Sequence, residues 1–413
     1  MAPVVIVGGG VIGVCTAYYL ARAGVDVTLI EREHVAAGSS YGNAGLITPS
    51  DSLPLPSPGA LTKGLAWLLD PTSPLYIQPR LDWDLIQWLW RFRASANHRT
   101  FRRHVPLLQT LSRYSLELME KLIDEENIAC HYHRRGLLIL YRTAEGWQEG
   151  EHLARLVAEF GTNHEVWPAE QVREQVPQAR PEVVGGIYYS LDAHVDPAAF
   201  VHGVAQRLTD MGVTLVTQTE VLDFEVHERR VKGLHTTRGT FPADAIVLAA
   251  GAWTPLLARR LGIAIPIQPA KGYSITVQRP DGFPEIPLIL DEAKVGITPM
   301  GDRLRFAGTL ELAGHSLDIT ARRVLAIRRA VTQYLNVNPD EHPLVELWRG
   351  LRPCTPDGLP IIGWAPQYAN VIIAAGHCML GMTQGVATGH IVADLLNGRS
   401  PAVDVHPFRV DRF

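Results

Sequence analysis

The sequence predicts a two-domain chain of α/β plus α+β class, and three observations predict it. First, the β-branched run Val4 to Val7 breaks into Gly8-Gly9-Gly10-Val11-Ile12-Gly13 and continues as an apolar helical stretch. A second apolar strand, Val25 to Ile30, then ends on Glu31. Second, strand-to-glycine-turn units return at 245–253 and 370–381. Third, the segments between these units carry strand patterns of their own. A Rossmann-like domain assembled from discontinuous segments, with a second, sheet-containing domain threaded between them, accounts for all three. The length of 413 residues, more than one hydrophobic core usually serves, agrees. The predicted boundaries are 1–55, 161–255 and 340–413 for the first domain, and 56–160 and 256–339 for the second.

The opening unit is the dinucleotide-binding fingerprint in its required context of strand, turn, helix, strand and acid. Gly8 permits the tight turn, Gly10 lets the backbone approach a pyrophosphate, and Gly13 lets helix and strand pack closely. Val11 and Ile12 begin the helix, whose free N–H groups and dipole end suit phosphates. Glu31, with Arg32 beside it, lies where a carboxylate accepts a hydrogen bond from a ribose hydroxyl.

The stretch 36–47 is small, polar and glycine-rich, a loop able to lie along an extended ligand through Ser39, Ser40, Asn43, Ala44, Gly45 and Leu46. The Pro/Ser-rich 51–59 reads as irregular. Helical patterns follow at 60–69, 82–94, 100–126 and 145–160, with a strand at 136–141. Asp196-Pro197 opens a further helix, as N-cap and first residue. Strands follow at 213–217, 220–227 and 230–237, and a strand-rich region at 265–310. Helices are expected at 320–334 and 382–396.

Composition excludes several classes. A net charge of −4 argues against a nucleic-acid partner. Cys15, Cys130, Cys354 and Cys378 form no CxxC pair and read as reduced thiols, and no metal-ligand spacing is present. The strand beginning near Pro3 leaves no room for a signal peptide, and no apolar run reaches the roughly 18 residues of a membrane span. A cytoplasmic location is therefore expected. Trp67, Trp83, Trp88 and Trp90 crowd the 60–92 stretch; they either bury their rings or carry the chain as a peripheral protein onto the inner membrane.

NAD and FAD share the opening fingerprint, and three later features favour FAD. One is the 38–47 loop. Another is the strand at Val221, whose backbone can clamp an adenine beside the turn Ala250-Gly251-Ala252-Trp253. The last is Gly376-His377-Cys378-Met379-Leu380-Gly381-Met382-Thr383, where a strand end feeds a helix N-terminus. That dipole end can face the pyrimidine edge of a flavin.

At these residues the chain resembles the FAD-dependent amino-acid oxidoreductases, which include D-amino acid dehydrogenase, glycine oxidase, sarcosine oxidase and D-amino acid oxidase. The likeness is strongest to the D-amino acid dehydrogenase branch, with its D-hydroxyproline dehydrogenases. The block Gly350-Leu351-Arg352-Pro353-Cys354-Thr355-Pro356-Asp357-Gly358 carries it more specifically than the N-terminal glycines. The resemblance implies that Arg352 holds the substrate carboxylate, which suits a bidentate, permanently charged guanidinium. The alternative is a structural arginine tying Trp348 or a turn. Tyr273 is placed either as a second carboxylate contact or as core packing, and His377 either against flavin and substrate or as a structural residue. Met379 stands where glycine oxidase-like members have an arginine, which argues against glycine oxidase activity. Tyr41 and Ser50 are candidates for the pocket rim, and His194 reads as a turn residue. Neither Cys354 nor Cys378 matches the position of a covalent flavin link, so the FAD is expected to be non-covalent.

The implied reaction is oxidation of a D-amino acid, D-proline and hydroxy-D-proline included, by hydride transfer from Cα to FAD, giving an imine that hydrolyses to a 2-keto acid. The implied partners are the amino-acid substrate and, as electron acceptor, a membrane quinone or oxygen. A sarcosine-type amine oxidase, an NAD-dependent dehydrogenase and a non-catalytic FAD-binding subunit are the competing readings.

Overall fold

The structure is a computed structural model that describes residues 3–59 and 73–413. The helix expected at 60–69, with Trp67, lies outside the described residues. The helices at Trp83–Ser95, His98–Glu126, Ala144–Ala158, Ala321–Tyr334 and Gly381–Leu396 fall where periodicity put them. Caps fix their ends. Asp196 Oδ1 accepts the N–H groups of Ala198 and Ala199 at 3.0 and 3.1 Å, with Pro197 at the first position. Asn97 caps the long helix through Thr100 N–H, and Asn127 ends it in the left-handed region at φ 50°.

A six-stranded sheet forms the nucleotide-binding type domain. Its order is Ile361–Trp364, Val371–Ala375, Ala245–Leu248, Val4–Val7, Val27–Ile30, Thr214–Val216. All neighbours are parallel except the first pair. Both faces are covered, which explains the unbroken apolar runs. One face packs against the helices Val11–Arg22, His98–Glu126, Pro197–Asp210 and Gly381–Leu396. The other packs against the helix Thr254–Arg260 and a three-stranded sheet, 221–242.

The second domain is a nine-stranded, largely antiparallel sheet. Its long strands are Leu344–Cys354, Gln268–Gln278 and Arg303–Leu312, backed by the helix Ala321–Tyr334. The expected boundaries need correction here. Strands Glu165–Pro168, Gly185–Tyr189 and Leu344–Cys354 fall in stretches predicted for the first domain, yet they hydrogen-bond into this sheet. Conversely, Leu108, Leu111, Met119 and Leu122 of the long helix, predicted for the second domain, pack in the core of the first. Amphipathicity states which face of an element is buried, not what covers it.

The tryptophan stretch divides. Trp88 is 3% exposed, stacks on Phe92 and donates its indole N–H to the Cys354 carbonyl at 2.9 Å. Trp83 and Trp90 are 70% and 67% exposed, with Leu81 fully so. Among the described residues no helix is long and apolar enough to cross a membrane.

Candidate active site

The dinucleotide end is built by close backbone approaches. Gly8 has φ 116°, and a Cβ there would lie 2.5 Å from the Ala249 carbonyl oxygen. A Cβ on Gly13 would lie 1.9 Å from the Gly8 carbonyl oxygen, so helix and strand touch as the fingerprint requires. Gly10 is an N-cap with no side-chain cap, which leaves the first turn at Val11 and Ile12 open to an anion except where Val11 N–H donates to Ser40 Oγ at 3.0 Å. Glu31 is held by the N–H groups of Gly9 at 2.7 Å and Glu33 at 2.9 Å. The Arg32 guanidinium lies over the Trp253 indole, 4.7 Å from its centroid. Thr219 N–H donates to the Glu31 carbonyl and brings Val221 alongside. Trp253 closes the turn of Ala250 and Gly251 after the strand Ala245–Leu248. The structure thus gathers Glu31, Arg32, Val221 and Trp253 at one end of the sheet.

From there the 39–48 loop runs toward the second domain, pinned along its length. Ser39 Oγ donates to the Leu351 carbonyl at 2.5 Å. Asn43 Oδ1 accepts Gly45 N–H at 2.8 Å, turning the chain past Ala44. Thr383 Oγ1 donates to the Leu46 carbonyl and accepts Thr48 N–H, joining loop and last helix. Arg305, 3% exposed, donates to the carbonyls of Tyr41 and Asn43 at 3.2 and 2.9 Å. Sequence reasoning missed Arg305, which sits in a strand without a motif around it. The last helix starts at Gly381, again with no side-chain cap, behind Gly376 at φ 84° and the turn Cys378–Leu380; Met382 and Leu380 are buried and Met379 is 41% exposed. Two uncapped helix starts joined by a pinned, extended loop fit a long dinucleotide such as FAD.

Arg352, the residue singled out for the substrate, lies on the strand Leu344–Cys354. Arg352 pairs in register with Ala270, and Gly350 with Gly272. Side chains two apart share a face, so Arg352, Gly350, Trp348, Gly272 and Ala270 are on one side of the sheet. The guanidinium lies directly over Gly272, where a Cβ would come 2.1 Å from Nη1. Nη1 donates to the Thr309 carbonyl at 2.8 Å, from a residue held at φ 63°. Among the described residues no carboxylate pairs with Arg352. Burial without a counter-charge lowers its pKa to about 10. Trp348 packs its indole against Gly42 and Gly350, each of which would meet it at 2.0 Å if given a Cβ. It forms an aromatic wall next to the guanidinium, and the sequence pointed to it only as a residue for a structural Arg352 to tie.

Two predicted neighbours of Arg352 are not brought to it. Tyr273 alternates with Gly272 and so faces the other side of the sheet. There it packs under the helix Ala321–Tyr334, donates to Glu311 Oε2 at 2.7 Å and accepts Thr320 N–H at 3.3 Å. Of the two readings open for Tyr273, the structure shows the core packing, with a buried hydrogen-bond network, and not the carboxylate contact. His377 is 3% exposed and its Nε2 meets Thr388 Oγ1 at 2.9 Å, inside the last helix's own packing. Burial lowers its pKa to about 3, so the ring is neutral and ties the turn to the helix.

The cysteine expectation is also corrected. Cys354 and Cys378 form a disulfide, with Cα atoms 4.4 Å apart, because an antiparallel bridge pairs Cys354 with His377. Cys15 and Cys130 are free and buried, their thiols pushed up to about 12 by desolvation. His194 lies in a two-residue strand rather than a turn, fully buried, its pKa lowered to about 3. Ser50 is buried, not at a rim, and its N–H donates to Asp192 Oδ1 at 2.9 Å. Burial raises Asp192 to about 8 and Asp51 to about 7, so this interior pair takes up protons near neutrality. Tyr41 is half-buried near Glu346. Among the described residues no group of His, Cys, Asp or Glu is arranged to hold a metal.

Residues 3–395 match the model of a family described as FAD dependent oxidoreductase. The chain is similar to a D-amino acid dehydrogenase of Granulibacter bethesdensis, 32% identical over 99% of both chains. A D-amino acid dehydrogenase of Methylobacterium radiotolerans is 36% identical, again over 99% of both. Among solved structures it resembles glycine oxidase from Geobacillus kaustophilus (TM-score 0.80, 24% identity, 99% of this chain and 98% of that one). It also resembles L-proline dehydrogenase from P. horikoshii (TM-score 0.79, 21% identity, 100% and 97%). Those two likenesses speak for the fold.

Proposed function

The chain belongs to the family of FAD-dependent oxidoreductases, and from that premise we propose that it is a D-amino acid dehydrogenase whose substrate carboxylate is held by Arg352. The observation that carries this reading is the part-buried guanidinium over Gly272, which has a backbone carbonyl but, among the described residues, no carboxylate beside it. A desolvated cation without a counter-charge is costly, and a carboxylate ligand supplies the missing charge through two directional hydrogen bonds. The names of the full-length relatives support the D-amino acid class.

FAD, when bound, takes up the hydride equivalent lost from the substrate Cα. Gly10, Glu31, Arg32, Ser40, Val221 and Trp253 would hold its dinucleotide half; the 43–46 loop and the start of the last helix would hold its ring half. The chain's own part is orientation and shielding. Arg352 fixes one end of the substrate, and Trp348 excludes water on one side, which restricts the bound amino acid to few poses. Among the described residues no strong base faces Arg352: Tyr273 is on the other side of the sheet and His377 is committed to Thr388. The substrate amine is therefore taken as entering neutral, with its proton lost to solvent first. The imine product then hydrolyses to a 2-keto acid, or stays cyclic for a proline-like substrate.

The exposed Leu81, Trp83 and Trp90 support peripheral contact with a lipid surface, and with it a quinone acceptor. Co-sedimentation with lipid vesicles, lost on Trp83→Ser with Trp90→Ser, checks that part. The main test is anaerobic bleaching of the flavin with D-alanine, D-proline, cis-4-hydroxy-D-proline and sarcosine, with L-enantiomers as controls. Bleaching by a D-amino acid is expected. Bleaching by sarcosine alone, or by none of them, overturns the reading.

A further inference from the structure

The one disulfide among the described residues joins the two elements that make the flavin end of the site. Cys354 closes the strand Leu344–Cys354 two residues beyond Arg352, on the same face. Cys378 opens the turn that leads into Gly381. The pair is asymmetric. Cys354 is fully buried beneath Trp88, whereas Cys378 is partly exposed beside the exposed Met379, its Sγ 3.7 Å from Met379 Sδ. Cys378 is also held at φ 50°, in the left-handed region that a residue with a Cβ seldom occupies.

We propose that Cys354–Cys378 is a thiol–disulfide exchange site, and that opening it with an external dithiol loosens the 376–381 turn and weakens the hold on FAD and on substrate. A thiolate of the dithiol attacks Cys378 Sγ, the more exposed sulfur, forming a mixed disulfide. The Cys354–Cys378 bond breaks and its electron pair leaves on Cys354, which takes up a proton. The second thiol of the dithiol then displaces Cys378. Two electrons have passed from dithiol to protein; the products are two cysteine thiols and one oxidised dithiol. Arg352, roughly 7 Å away along the same strand face, favours Cys354 as the leaving thiolate. Freed of the bond, Cys378 can leave the left-handed region, and the turn that begins the last helix relaxes with it. The substrate half of this proposal rests on the reading of Arg352 given above; the thiol and FAD halves do not.

The test uses the purified holoenzyme, with and without anaerobic dithiothreitol, labelled natively with iodoacetamide and mapped by peptide mass. Cys378 is expected to label only after dithiothreitol, with Cys15 and Cys130 unlabelled throughout. FAD affinity, read by ultrafiltration, is expected to fall at least tenfold on reduction and to return on reoxidation. Amide hydrogen exchange over 376–383 should quicken in step. Cys378→Ser should behave as the permanently reduced protein and ignore dithiothreitol. A disulfide that resists the dithiol in the native protein overturns the proposal, as does one that opens while FAD affinity and exchange stay unchanged. Because both outcomes are read on the wild-type chain, a variant that fails to fold does not blunt the test. Failure of every amine to bleach the flavin would remove the substrate half and leave the rest standing.

Discussion

Gly272→Ala tests the architecture of the site more sharply than removing Arg352 does. Its backbone is extended strand outside the left-handed region, although the pairing with Arg303–Leu312 shifts register there, so alanine is tolerated as far as its own conformation goes. What alanine meets is the guanidinium, at 2.1 Å from Nη1 and 2.5 Å from Cζ and Nη2. Carbon and nitrogen in contact need more than 3 Å, and the far end of a flexible side chain yields before a sheet does. Arg352 is therefore expected to swing away from Thr309 and from the substrate position. A charge-assisted hydrogen bond contributes about 1.5–3 kcal/mol, and each 1.4 kcal/mol is tenfold. Losing about 3 kcal/mol of carboxylate binding lowers kcat/KM roughly 100-fold. Most of that should appear in KM, because the carboxylate is held equally in ground and transition states. Stability should move by less than about 1 kcal/mol, since the reduced freedom of the unfolded chain offsets the lost Thr309 bond. Steady-state kinetics with a D-amino acid, beside FAD content and the thermal midpoint, measure this. If Gly272→Ala keeps its KM while Arg352→Met loses substrate binding, the cradle reasoning is wrong. If Arg352→Met also keeps its KM, the anchor itself is wrong.

Further outcomes concern the cofactor and the buried titratable groups. Gly8→Ala forces a Cβ onto the Ala249 carbonyl at positive φ, at about 1–3 kcal/mol, and should lower the FAD bound per chain in visible absorbance; full retention would count against the tight-turn role. Thr388→Val leaves His377 Nε2 without its partner and should cost about 1–3 kcal/mol in denaturant unfolding; a changed pH profile of kcat would instead put His377 in proton transfer. Burial raises Asp192 to about 8, so the folded chain keeps a proton that the unfolded chain has lost. Its stabilising effect is full below about pH 4 and is lost as pH rises through about 8. Asp51, raised to about 7, adds the same sign. Together they should lower stability by about 4 kcal/mol between pH 6 and 9, roughly two-thirds of it from Asp192, and Asp192→Asn should flatten most of that slope; an unchanged slope would show that Asp192 does not titrate there.

The parts of the site legible in the sequence are those in which short-range sterics decide. Gly8, Gly13 and Glu31 are spaced along one strand–turn–helix–strand unit, so their roles follow from local geometry alone. The same holds for Asp196-Pro197 at a helix start and for the strand-to-turn Asn370–Gly381. Arg352 was legible through its motif, although nothing in the motif says that its guanidinium would lie over Gly272.

Other features depend on register. Tyr273 and Gly272 are adjacent in sequence and opposite in space, and the pairing of the strands Gln268–Gln278 and Leu344–Cys354 decides which one faces Arg352. The Cys354–Cys378 bond needs the bridge between Cys354 and His377, which residue spacing does not announce. Arg305 and Asp192 take their roles from loops that fold back over them. The sequence by itself therefore determined the cofactor class, through contacts within a few residues of one another, and singled out Arg352 only through its resemblance to a family. Only the tertiary structure decided which side chains share a face, which cysteines meet and which segments join which sheet. Those outcomes are set by long-range strand pairing and burial, which local propensity leaves open.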